Sequence, residues 1–223
     1  MPRIHFHQQL AELKDRLLAQ AALAQQALDT VLDAYATSDL GLCQHVMDNE
    51  QAINSSERLV DSQAYDLLAM EQPMAVDLRF ILAVIKINSD LERVGDQCVN
   101  IADRVKAMKG VDRIDLPVDI ERMGNLAGTM VRTSIQSLLE ADAFLAETVL
   151  DRDDDVDEMN RAAHRDLSEV MMKQPDSAEQ ALNTLIICRN LERIADHATN
   201  IAEDVIFWVR GTDIRHKYSV ALD

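Results

Sequence analysis

The sequence predicts an all-α protein built as two tandem, pseudo-symmetric three-helix bundles of six long helices, and three observations carry that prediction. Of 223 residues, 48% are hydrophobic but only 4% aromatic, and 6 Gly and 4 Pro punctuate them; small and unbranched side chains lose least freedom in a helix. The apolar residues recur at steps of three and four, the helical period. A string of thirteen residues, finally, returns 100 positions later.

From about Arg3 to Ala36, Leu10, Leu13, Leu17, Ala21, Ala24, Leu28, Val31 and Tyr35 mark one face of a long helix. Ser38 and Asp39 offer caps for a second helix, which carries Val46, Ile53, Val60, Ala64 and Leu67 up to Gln72-Pro73. The residue before a proline resists helical geometry, so the helix ends there. A third helix bears Phe80, Leu82, Ile85, Leu91, Val94, Cys98, Ile101 and Val105 and stops near Gly110. Gly110 to Pro117 reads as a linker, with Pro117 suited to a helix start. A helix from about Val118 to Ala141, another from Asp142 to Gln174, a break at Pro175-Asp176 and a last helix ending near Arg210-Gly211 repeat the plan. The expected division is 1–109 for the first bundle, 110–117 for the linker, 118–210 for the second bundle and 211–223 for a tail.

The repeat is literal. Leu91-Glu92-Arg93-Val94-Gly95-Asp96-Gln97-Cys98-Val99-Asn100-Ile101-Ala102-Asp103 shares seven of thirteen letters with the string from Leu191 to Glu203. Upstream, Glu50, Ile53 and Asn54 answer Asp153, Val156 and Asp157 at an offset of 103. A period near 100 is too long for a solenoid unit.

Twenty-two Lys and Arg against 39 Asp and Glu give a formal net charge of −17, which argues against nucleic acid as a partner. Cys43, Cys98 and Cys188 form no metal-type spacing and are odd in number, which points to a reducing compartment. The N-terminal residues lack a signal-peptide core and no apolar run is long enough to span a bilayer, so a cytoplasmic protein without membrane insertion is expected.

The chemistry-bearing feature is acidic. Glu92, Asp96, Asn100 and Asp103 share one helical stripe, and Glu192, Asp196, Asn200 and Glu203 repeat it. Such a stripe is either a solvated outer face or a cation site. Heights along the hairpins favour the cation. Glu50 and Asp96 each stand 23 residues from Pro73, and Asn54 and Glu92 each 19. In the second repeat, Asp153 and Asp196 stand 22 and 21 residues from Pro175, and Asp157 and Glu192 18 and 17. The candidate ligands are therefore Glu50, Glu92, Asp96 and Asn100 in the first repeat and Asp153, Asp157, Glu192, Asp196 and Asn200 in the second. Oxygen donors suit iron, Mn or Mg better than Zn, which is admitted as a weaker candidate. Asn54 opposite Asp157 leaves the first repeat one charge poorer, so the second site is expected to be tighter.

No histidine follows a Glu by three residues, which excludes a ferritin-like di-iron bundle. No nucleophile with its base and no glycine-rich phosphate loop is present, so no enzyme is expected. His197 reads as a surface residue or else a peripheral ligand, Arg93 and Arg193 as partners in ion pairs along the helix, and Met70, Met74, Met171 and Met172 as flexible core filler.

The doubled Leu-Glu-Arg-Val/Ile-Gly/Ala-Asp motif resembles the PhoU family of phosphate-signalling regulators over nearly the whole chain. Asp77-Leu78-Arg79 after the Gln-Pro break and the closing Arg210-Gly211-Thr212-Asp213-Ile214-Arg215-His216 add to the likeness. The resemblance implies acidic motifs that hold multinuclear metal clusters on the surface. It also implies negative regulation of phosphate uptake and phosphate-starvation gene expression, through a sensor histidine kinase and the ATPase of a phosphate ABC transporter, in a chain expected to form a homodimer. Ala195, where the first repeat has Gly95, would place a methyl near the stripe and unbalance metal occupancy. The alternative is a metal-binding or metal-storing helical bundle with no phosphate-signalling role.

Overall fold

The computed structural model describes residues 2–110 and 114–214, so Val111 to Arg113 of the linker and the tail from Arg215 onward lie outside the described residues. Six helical rods follow one another, the fifth of them interrupted. They are α1 (Pro2–Thr37), α2 (Leu40–Glu71), α3 (Val76–Ala107), α4 (Ile120–Glu140), α5 (Ala143–Leu150), α6 (Asp153–Lys173) and α7 (Ala178–Arg210), with a single 3₁₀ turn at Pro175–Ser177 before α7. The described residues contain no strand.

The turns are written locally. Ser38 takes a left-handed backbone, and the Asp39 carboxylate caps α2 by accepting from the Gly41 and Leu42 amides at 2.7 and 3.4 Å. At Pro73 the chain leaves the helix as expected, with Gln72 left-handed. Gly211, at φ 72°, ends α7 and donates its amide to the Phe207 carbonyl at 2.9 Å.

One expected element differs. The helix read from Asp142 to Gln174 breaks at Asp151-Arg152. Asp142 caps α5 through the Phe144 and Leu145 amides, and the Arg152 amide reaches back only to Val149. The break places Asp153, Asp154 and Asp155 in the first turn of α6, where the helix dipole favours carboxylates that a helix interior would not.

The pseudo-symmetry meets along α3 and α7, which run antiparallel at the centre. Phe80 packs on Trp208 with ring centroids 4.9 Å apart, Lys86 Nζ pairs with Asp204 Oδ1 at 2.8 Å, and Asp90 Oδ1 meets His197 Nδ1 at 2.8 Å. A second seam joins α1 to α4, where Leu32 fills the space left by Gly124 and Lys14 Nζ donates to the Leu139 carbonyl at 2.7 Å. The buried apolar residues form one continuous cluster through both repeats. All three cysteines are buried free thiols. No described helix is long and apolar enough to cross a membrane.

Two side-chain expectations are not met. His197 is half-buried in the seam between repeats, because α7 turns it toward Asp90 and not toward solvent. Met70, Met74 and Met172 are largely exposed, since the helix ends beside the two proline turns project past the core. Arg93 and Arg193 make no ion pair within 4 Å among the described residues, but they act on their acidic neighbours as expected, Arg93 holding down Asp96 and Arg193 holding down Glu192.

Candidate metal centre

In the second repeat, α6 supplies Asp153 and Asp157 and α7 supplies Glu192 and Asp196. Asp153 opens α6, and its Oδ1 accepts from Thr199 Oγ1 at 3.3 Å. Asp157 leans toward Arg161 one turn on, at 3.3 Å. The four carboxylates feel one another. Partial burial, then Glu192, Asp153 and Asp157, push the Asp196 carboxyl up to about 6 from its usual 3.8, although one side of it stays open to water. Glu192 and Asp153 are raised as well, by burial first and Asp157 second. A cluster that resists losing its protons is one that a cation would relieve.

In the first repeat, α3 carries Glu92 and Asp96 against α2. Burial, Asp96 and Glu57 raise the Glu92 carboxyl, with Glu50 contributing more weakly. Burial is also the main cause of the rise at Asp96. On α2, Asn54 has a buried Oδ1 that accepts no hydrogen bond among the described residues. An orphaned oxygen among carboxylates is a donor without a partner, and a hard cation fits it.

Glu57 is the residue that reading the sequence missed. It is half-buried on α2, and its carboxyl is raised by burial and then by Asp61, with Asp96 also adding to the rise. The signal was present: Glu50, Asn54 and Glu57 fall at i, i+4 and i+7, one stripe. Its counterpart at the offset of 103 is Asn160. The first repeat thus orders acid, amide, acid where the second orders acid, acid, amide.

Asn100 is exposed on α3. Asn200 donates to Asp90 Oδ1 at 3.3 Å, across the seam and away from the carboxylates. Gly95 faces Ile53 in the core, and Ala195 is buried as well, so the methyl expected near the stripe points inward instead. Among the described residues no three His, Cys, Asp or Glu side chains already close on one point as a metal-binding group. The arrangement is two sets of oxygen-bearing side chains on facing helices, one in each repeat.

A duplicated three-helix bundle with an acidic cluster in each repeat defines a class of helical, carboxylate-bearing proteins. The PhoU domain model matches this chain twice, over residues 17–105 and 120–205, and the chain belongs to the PhoU family. The phosphate-specific transport system accessory protein PhoU homolog of Pseudomonas putida is 37% identical over 214 residues, covering 95% of this chain and 83% of its own. The homologue of the same name from Pseudomonas aeruginosa is 36% identical over 95% of this chain and 88% of its own. The crystal structure of PhoU from Pseudomonas aeruginosa superposes with a TM-score of 0.90 at 35% identity, covering 93% of this chain and all of that one. That of the phosphate transport system regulatory protein PhoU from Streptococcus pneumoniae gives 0.87 at 26% identity, covering 93% of this chain and 98% of the other.

Proposed function

We propose that this chain is a non-enzymatic negative regulator of phosphate homeostasis, restraining phosphate uptake and phosphate-starvation gene expression by docking onto a sensor histidine kinase and the ATPase of a phosphate ABC transporter. The observation that carries this reading is the match of both repeats to one family whose named relatives are accessory and regulatory proteins of phosphate transport. The net charge of −17 favours basic partner surfaces, with association that weakens as salt rises. Exposed Met70, Met74, Val76, Leu78 and Leu82 around the α2–α3 turn offer apolar contact of the kind docking uses.

In this reading the acidic clusters hold metal: Glu50, Asn54, Glu57, Glu92 and Asp96 in the first repeat, and Asp153, Asp157, Glu192 and Asp196 in the second. A hard cation there would supply positive charge that binds neighbouring helices together. The protein's own part is to set those oxygens at equal height on paired helices and to keep them partly dry. The chain would act in the cytoplasm as a homodimer.

The test is a deletion strain grown in phosphate-rich medium. Derepressed phosphate-starvation genes and altered phosphate uptake are expected. Normal repression with unchanged uptake would overturn the regulator and leave a metal-binding bundle.

A further inference from the structure

A groove of about 460 Å³ runs between α6 and α7, lined by Asn160, His164, Arg189, Glu192, Arg193 and Asp196 over an apolar floor. Arg189 and Arg193 lie one helical turn apart and are exposed; neither makes an ion pair within 4 Å among the described residues, although both hold down the carboxyl of the neighbouring Glu192. His164 faces them from α6, and its ring has no partner among the described residues. Two guanidiniums with open N–H donors, beside an imidazole and an amide, offer what tetrahedral oxyanions take.

The first repeat is an internal control. At its equivalent positions Glu57 stands for Asn160, Asp61 for His164 and Ser89 for Arg189, while Arg93 matches Arg193. Every one of those three differences removes negative charge from the second groove or adds positive charge to it. Asp61 is moreover occupied by Asn88, at 2.9 Å, and Lys86 is paired with Asp204. The two grooves therefore differ in charge at three equivalent positions, the second being the less acidic.

We propose that the α6–α7 groove of the second repeat binds inorganic phosphate, with Arg189 and Arg193 donating to its oxygens, His164 and Asn160 closing the far side, and Glu192 accepting the proton of hydrogen phosphate. The Glu192 acceptor has a consequence for selectivity. Sulfate is a tetrahedral dianion with no proton to donate, so against the carboxylate it meets repulsion where hydrogen phosphate makes a bond. The net charge of −17 does not forbid this. Charges beyond about 8 Å are screened at physiological salt, and within the groove Arg189 and Arg193 balance Glu192 and Asp196, so the N–H donors of the arginines, His164 and Asn160 decide what binds. The proposal deepens the regulatory reading and rests on it for biological meaning, since a phosphate regulator that binds phosphate can sense it directly.

The experiment is calorimetric titration of inorganic phosphate into the full-length, chelator-treated protein in chloride buffer. Saturable binding at a single site per chain is expected, with sulfate competing weakly. The double variant R189S/H164D, which installs the first repeat's residues at two exposed positions, should bind at least about tenfold more weakly while keeping its helical circular dichroism. Arg152→Ser, outside the groove, should bind as wild type does. Absent phosphate binding, unchanged binding by R189S/H164D, equal competition by sulfate, or an equal loss in Arg152→Ser each overturns the proposal. Because no cell, partner or metal enters the measurement, it can fail while the deletion strain still shows lost repression, and the reverse.

Discussion

Gly95 of α3 lies directly against Ile53 of α2: a Cβ built on the glycine would stand 2.9 Å from the isoleucine Cδ1 and 3.4 Å from its Cγ2. The second repeat changes both partners together, to Ala195 and Val156. The methyl gained by one helix is the methyl lost by the other, so the two hairpins keep the same close packing by different means.

This pairing predicts coupling between the two sites. Ile53→Val should cost about 1 kcal/mol in the wild-type background and close to nothing when combined with Gly95→Ala, because the new methyl fills the space vacated. Urea unfolding of the two single variants and the double variant measures it. Additive effects would show that the contact is not what links the two exchanges.

Metal-free protein should lose stability as pH rises from about 4 to 7 through the Asp196 cluster. The folded carboxyl titrates near 6 and the ordinary one at 3.8. Between those values the folded state holds a proton that the unfolded chain has released, so the folded state is favoured at the acidic end and the advantage is gone above about 6. Solvent screening of the exposed side of Asp196 reduces the effect to about 1 kcal/mol. Thermal unfolding in chelator at pH 5 and pH 7 should show that difference in the wild type and not in Asp196→Asn.

Metal binding should be comparable in the two repeats, since Glu57 in the first offsets Asp157 in the second. Glu57→Gln and Asp157→Asn should therefore each weaken uptake of Mn²⁺ or Mg²⁺ by their own repeat to a similar extent, read by titration and elemental analysis. Removing Glu192 and Asp196 together should abolish uptake by the second repeat alone. Undiminished binding in that variant would refute the ligand assignment.

His197→Gln should cost about 1 to 2 kcal/mol, because it strips one partner from the buried Asp90 and leaves Asn200 to satisfy it. Gln is what the first repeat carries at this position, as Gln97, so the helix itself tolerates it. Denaturant unfolding decides the matter: a change within error would mean that Asn200 suffices.

The helices and their duplication are written in the chain's own local pattern. Leu10 to Tyr35 and Phe80 to Val105 repeat every three to four residues over eight turns or so, and Pro73 and Pro175 leave the backbone no choice but to turn, because these are local properties of the chain. Glu92, Asp96, Glu192 and Asp196 were legible as a site for the same reason, one stripe written twice. The break at Asp151-Arg152 was less legible, since a run of aspartates is compatible with either a helix interior or a new start. What each helix meets depends on how the helices pack. Helical period gives a side chain's height and bearing on its own axis but not the rotation of the neighbouring axis, so Asn200 could be placed on the acidic stripe by spacing and yet reach Asp90. By the same reasoning Glu57 joined the first cluster, His197 turned into the seam, and Gly95 faced Ile53 and not the metal ligands. Those outcomes belong to the packing of α3 on α7 and of α2 on α3, where burying two apolar faces at once fixes a rotation that no single helix carries.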